Sequence, residues 1–160
     1  MKTIIITGSV GSGKTTLAKK LAKKLNYNYL DVSELIKQNN LSEGYDKKRK
    51  CQVVDIKKLT KFLIQLIKKS KTNLIIDSHM SHYLPRKYVD LCIVTKCNLK
   101  TLEKRLKQRK YTKSKVKENL ECEIMFVCLE EAKELKHKVL VITTTKNINI
   151  SKIAKQVNGG

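Results

Sequence analysis

The stretch Gly8-Ser9-Val10-Gly11-Ser12-Gly13-Lys14-Thr15 meets every fixed position of the phosphate-loop pattern G-x-x-x-x-G-K-[ST]. It constrains the fold because such a loop needs a buried strand running into it and a helix running out of it. The sequence supplies both. Residues 2–7 are short, apolar and β-branched, and beyond the loop Leu17, Leu21 and Leu25 share one face of a helix. Gly8, Gly11 and Gly13 let the backbone turn its N–H groups inward, an anion nest at the positive end of that helix. Lys14 is then placed to reach terminal phosphates, and the Thr15 hydroxyl to ligate Mg²⁺.

The remaining apolar runs alternate with helical patterns. Residues 27–30 read as a second strand ending at Asp31, with Ser33 as the cap of the helix that follows. From 37 to 50 the chain is polar and reads as an irregular, mobile excursion. Leu59, Phe62, Leu63, Leu66 and Ile67 then form a core-facing helical stripe. Leu74-Ile75-Ile76-Asp77 is a strand ending in a carboxylate, where the second nucleotide motif of such folds holds the Mg²⁺ shell. Strands at 91–94 and 139–142 follow, and Ile150, Ile153, Ala154 and Val157 suggest a closing helix. Val116, Leu120, Ile124 and Val127 or Cys128 predict one long helix reaching Leu135. Five short strands alternating with helices argue for an α/β, three-layer fold with a five-stranded parallel sheet, and for nucleotide at the carboxyl edge of its strands.

Further residues qualify that picture. His79 and His82 share the loop after the Asp77 strand, but no other ligand lies at zinc spacing, so His79 is assigned a catalytic or supporting role and His82 a structural or surface one. Thr95-Lys96-Cys97-Asn98 resembles a guanine-reading loop with Asn98 in place of its aspartate, which argues against a GTPase. Nine of the eighteen residues from 100 to 117 are Lys or Arg. A solvated basic face accounts for most of them, whereas neutralising a phosphoryl-transfer transition state needs one or two arginines, here assigned to Arg105 and Arg109.

The chain of 160 residues fits a single domain over 1–160. Its 35 Lys and Arg against 14 acidic residues give a net charge of +21, which attracts phosphate-rich partners such as nucleic acid or else reflects a lysine-rich proteome. Five cysteines without a C-x-x-C pair suggest reduced thiols and a cytoplasmic protein, nuclear if the source is eukaryotic, and no run approaches membrane-spanning length.

Taken together, the phosphate loop, Gly44-Tyr45-Asp46, Ile75-Ile76-Asp77-Ser78-His79, the segment 105–111 and the segment 118–124 make the chain resemble the adenylate kinases of the isoenzyme 6 type, almost end to end. That resemblance implies a P-loop nucleoside-monophosphate-kinase-like fold. It implies ATP phosphates held at Gly8, Gly11, Ser12, Gly13, Lys14, Thr15 and Thr16, with Arg109 at the start of a mobile lid over about 107–117. It places Lys146 beside the adenine, Asp77 and His79 at Mg²⁺ and the attacking group, and the acceptor in a mobile segment over about 33–56 that includes Ser33, Lys37, Gly44 and Tyr45. Lys37 and His79 stand where ordinary adenylate kinases place acceptor-gripping arginines, and Lys110 where many relatives have glycine. The implied activity is transfer from ATP to AMP or another nucleoside monophosphate, with ATP hydrolysis and a role in small ribosomal subunit maturation through a ribosomal protein or pre-rRNA. An ATPase assembly switch with little kinase activity, and a binding module without turnover, are the alternatives.

Overall fold

The computed structural model describes residues 1–49 and 51–159; Lys50 and Gly160 lie outside the described residues. In chain order the elements are β1 (Thr3–Gly8), α1 (Lys14–Leu25), β2 (Asn28–Asp31), α2 (Val32–Gln38), β3 (Ser42–Asp46), β4 (Cys51–Val54) and α3 (Ile56–Lys69). There follow β5 (Leu74–Asp77), β6 (Leu91–Lys96), α4 (Leu99–Gln108), α5 (Lys113–Ile124), α6 (Val127–Glu134), β7 (Val139–Thr143) and α7 (Ile150–Gly159). The strands β2-β5-β1-β6-β7 form one parallel sheet in that order, so β1, which feeds the phosphate loop, is central.

Because β1 is covered on both faces, its isoleucines divide by parity. Ile4 and Ile6 pack with Leu17, Leu21, Ile153 and Val157 of α1 and α7. Ile5 faces the other layer, with Leu59, Leu63 and Ile67 of α3 and Ala132 of α6. A third cluster of Cys97, Leu102, Leu106 and Val116, joined by Val10 and Tyr111, seats α4 and α5 against the loop.

Three expectations change. Asp31, not Ser33, caps α2: its carboxylate accepts from the N–H groups of Ser33 and Glu34 at 2.9 and 3.3 Å. The excursion over 37–50 is not irregular throughout, because β3 pairs antiparallel with β4, Tyr45 opposite Gln52. The long helix breaks in two at Met125 and Phe126, where Phe126 takes a left-handed φ of 51° and its N–H closes on the Glu123 carbonyl at 3.2 Å. The apolar period continues through this break, so the sequence pattern hides it. After it, α6 packs Ala132 into the layer that holds Ile5 and α3, whereas α5 packs with α4 against the loop.

Lys110, in the turn between α4 and α5, is also left-handed, with φ 57°. A side chain in that region carries a backbone penalty that glycine lacks. Lys110→Gly is therefore expected to raise stability in urea denaturation, by about 0.5–1 kcal/mol; a loss of stability would show that the lysine's own contacts outweigh the strain.

Candidate active site

The loop is shaped by a space constraint behind it. Gly8 ends β1 beside Thr95 of β6, and a Cβ at Gly8 would lie 2.2 Å from the Thr95 hydroxyl. Thr95 Oγ1 instead donates to the Thr7 carbonyl at 3.2 Å and lies 2.6 Å from Ser12 Oγ. Thr144, after β7, donates its hydroxyl to the Ser12 carbonyl, and its own N–H donates to the Lys96 carbonyl. Ser12 is thus tied into the loop by all its polar groups: its hydroxyl meets Thr95, its N–H donates to the Ser9 carbonyl at 3.1 Å, and its carbonyl accepts from Thr144.

Arg105 and Arg109, assigned one role from the sequence, occupy two. The Arg105 guanidinium donates to the Thr144 carbonyl at 2.9 Å, the Gly11 carbonyl at 3.4 Å and the Cys97 sulfur at 3.3 Å, so it braces the loop. Arg109 is exposed at the end of α4. Both line a cleft of about 500 Å³ with Gly11, Gly13, Thr16 and Lys146, which brings part of the expected donor set together, without Lys14 and Thr15.

Lys14 is half-buried and donates to the Ser9 carbonyl at 2.9 Å. Desolvation pushes its pKa down to about 8 against the pull of the Asp77 carboxylate, with Arg109 lowering it further. Beside it, Thr15 Oγ1 donates to Asp77 Oδ2 at 2.6 Å, and the Tyr29 hydroxyl donates to the same oxygen at 3.0 Å. Asp31 and Asp77 are neighbours in register at the ends of β2 and β5. Two carboxylates and a hydroxyl thus meet at the carboxyl edge of the sheet, hard oxygen donors of the kind a divalent cation takes together with phosphate.

On this side opens a second cleft of about 690 Å³. Lys14, Thr15, Asp77 and His79 line it, as do Ser33 and Lys37. Gly44 and Tyr45 are not brought to it: a Cβ at Gly44 would meet nothing within 4 Å, and Tyr45 is 59% exposed on the hairpin. The hairpin contributes Arg49 and Gln52 instead, the turn before α5 contributes Tyr111, and α5 contributes Lys115 and Asn119. Arg49 was hidden in the basic run 47–50, where nothing in spacing separates it from solvated lysines. Desolvation, the Lys14 ammonium and His82 lower the His79 pKa to about 4, so its ring is neutral at pH 7.

His82 is interior and structural. Its Nε2 lies 2.7 Å from Glu131 Oε2 and its Nδ1 2.8 Å from Thr7 Oγ1. Its pKa is lowered, chiefly by burial, so the ring is neutral. A carboxylate can only accept, so Nε2 carries the proton and Nδ1 accepts from Thr7. Among the described residues no helix is long and apolar enough to cross a membrane.

A strand, phosphate loop and helix at the centre of a parallel sheet, with two clefts bordering the loop and a lysine and an Asp-hydroxyl pair lining one of them, define a P-loop phosphotransferase of the kinase type. A family profile described as an AAA domain matches residues 4–126. The chain is 36% identical over 131 residues to the adenylate kinase isoenzyme 6 homolog of Caenorhabditis elegans, a match covering 82% of this chain and 72% of that protein. It is 36% identical over 158 residues to the homolog of Saccharomyces cerevisiae, covering 96% and 79% respectively. A shikimate kinase from Acinetobacter baumannii, solved in complex with shikimate, superposes with a TM-score of 0.66 at 14% identity over 99% of this chain and 91% of that one, a likeness of fold alone. The chain belongs to the adenylate kinase isoenzyme 6 family.

The environment of Lys14 has a pH consequence. Bound phosphates raise the pKa of a lysine that starts near 8, so a donor nucleotide binds with proton uptake above that value. Affinity for a non-hydrolysable ATP analogue is expected to be level below pH 8 and to fall by up to about tenfold per pH unit above it. Calorimetry at pH 8.5 in two buffers of different ionisation enthalpy measures the uptake, which Lys14→Met abolishes; absence of uptake in the wild type would contradict the assignment.

Proposed function

We propose that the protein transfers the γ-phosphoryl group of ATP to AMP or another nucleoside monophosphate. The observation that carries this reading is the pair of clefts bordered by the phosphate loop and the start of α1, one lined by Gly11, Gly13 and Thr16 and the other by Lys14 and Thr15, each large enough to hold a nucleotide's phosphate end and each lined by cations of its own. ATP enters the cleft of Thr16, Arg109 and Lys146 with its phosphates on the loop. Lys14 leaves the Ser9 carbonyl for the terminal phosphate oxygens. The acceptor's phosphate lies opposite, facing Lys37 and Arg49, in line with the γ-phosphorus. An acceptor phosphate oxygen forms the new P–O bond as the bond to the β–γ bridging oxygen breaks, and ADP leaves on each side. Positioning and charge neutralisation are what such a transfer requires of a protein.

Thr15 and Asp77 fit Mg²⁺ that arrives with ATP. Their oxygens meet at 2.6 Å, and among the described residues no group of three or more His, Cys, Asp and Glu side chains could hold a metal by itself. When bound, the ion would supply charge neutralisation at the β- and γ-oxygens.

The same site accommodates hydrolysis. The acceptor cleft is open to solvent, and His79 is a neutral imidazole within it, able to orient a water by hydrogen bonding. We extend the proposal to ATP hydrolysis supporting maturation of the small ribosomal subunit, a reading supported by the family resemblance and the +21 charge. Capture of small-subunit components that showed no preference for the ATP-bound protein would remove its basis.

A coupled assay is expected to detect ADP formed from ATP plus AMP, with Lys14→Met reducing turnover by at least about 100-fold. Arg49→Ala is expected to raise KM for AMP several-fold with little change in KM for ATP. No ADP beyond that from hydrolysis, with AMP, dAMP and CMP each tried, would overturn the kinase reading.

A further inference from the structure

Glu123 is a buried carboxylate that the transfer chemistry above does not use. It sits in the last turn of α5, is 6% exposed, and forms no ion pair within 4.0 Å with any lysine or arginine among the described residues. Its charge acts on Lys14 from a distance, raising that lysine's pKa against the larger effect of burial. An unpaired carboxylate in the interior is costly unless both oxygens are satisfied. Here they are: Oε2 accepts from Ser9 Oγ at 2.7 Å, and Oε1 accepts from the Cys97 N–H at 3.0 Å.

Both partners are parts of the nucleotide machinery. Ser9 is the first residue after Gly8 in the phosphate loop, and its carbonyl holds the Lys14 ammonium. Cys97 follows β6, and its sulfur accepts from the same Arg105 guanidinium that reaches the Gly11 and Thr144 carbonyls. The other end of α5 is different in surroundings: Lys115, Glu118 and Asn119 line the acceptor cleft. One helix therefore borders the acceptor site near its start and grips the donor loop at its end. The break at Phe126 ends α5 just beyond Glu123, so α6 can turn away to place Glu131 on His82.

We propose that Glu123 is a positioning residue that locks α5 to the phosphate loop through Ser9, so that phosphates bound on the loop set the placement of the helix bordering the acceptor. A coupling of this kind acts in both directions, since a helix held in place by one ligand favours the other. The proposal rests on the assignment of Gly8 to Thr15 as the donor phosphate site and is indifferent to which acceptor is used.

The test uses the full chain with Ser9→Ala, Glu123→Ala, their double variant and Glu123→Gln. Each is compared at a temperature where circular dichroism shows it folded. Glutamine can still accept from Cys97 and donate to Ser9 Oγ, so it preserves the link and serves as the rescue. The readouts are affinity for a non-hydrolysable ATP analogue and hydrogen exchange of amides 112–124 with and without it. Ser9→Ala and Glu123→Ala are each expected to weaken affinity by about 5–10-fold, with the double variant no weaker than either single one. Analogue-induced protection over 112–124 is lost in these variants and recovered in Glu123→Gln. Variants that melt at lower temperature yet keep wild-type affinity and protection would overturn the proposal and leave Glu123 a packing residue. Failure of the wild type to bind the analogue would instead indict the phosphate-loop assignment itself, and with it this proposal.

Discussion

Gly8 ends the central strand at a point where the neighbouring strand leaves no room for a side chain, and the site is built outward from that contact. The 2.2 Å separation that a Cβ would have from the Thr95 hydroxyl means the backbone must pass flush against β6. That close passage lets Thr95 hold Ser12 and Thr7 from behind, and lets Thr144 and Arg105 reach the Ser12 and Gly11 carbonyls. These contacts, with the Ser12 N–H closing on the Ser9 carbonyl at 3.1 Å, fix the loop's backbone from behind. Sheet order does the rest, since β1 at the centre puts β5 and its Asp77 on one side and β6 and β7, with Thr95 and Thr144, on the other.

Charge is distributed in keeping with that geometry. Lys14 lines the second cleft, and burial lowers its pKa to about 8, so it is still mostly charged at pH 7. Arg109 and Lys146 border one side, Lys37 and Arg49 the other. The two histidines after β5 diverge for the same electrostatic reason: both are kept neutral by desolvation, but His82 spends both nitrogens on Thr7 and Glu131 inside the fold while His79 faces the cleft.

Much of this was legible in the sequence because local pattern and tertiary requirement coincide there. A phosphate loop between an isoleucine run and a leucine-striped helix has one architecture that satisfies it, and the strand ending in Asp77 follows from the same logic. Where the reading went astray, the deciding contact was distant. Asp31 rather than Ser33 caps α2 because the carboxylate ending β2 already faces the N–H groups of the next turn. The helix over 113–134 breaks at Phe126 although its apolar period runs on, since a left-handed residue leaves no mark on periodicity. Arg49 is indistinguishable from neighbouring lysines until the hairpin pairing turns it into the cleft, and Gly44 and Tyr45, prominent as a motif, stay outside. Glu123 lies in the segment 118–124 that carries the family resemblance, but nothing local points its carboxylate at the loop, since its partners are 114 and 26 residues away.

In the proposed reaction two nucleotides meet at Lys14, one in each cleft. Titration with diadenosine pentaphosphate, whose five phosphates can span both, tests that arrangement most directly. One molecule is expected to bind per chain, displacing both a non-hydrolysable ATP analogue and AMP. Displacement of the ATP analogue alone, with AMP binding unaffected or absent, would contradict it.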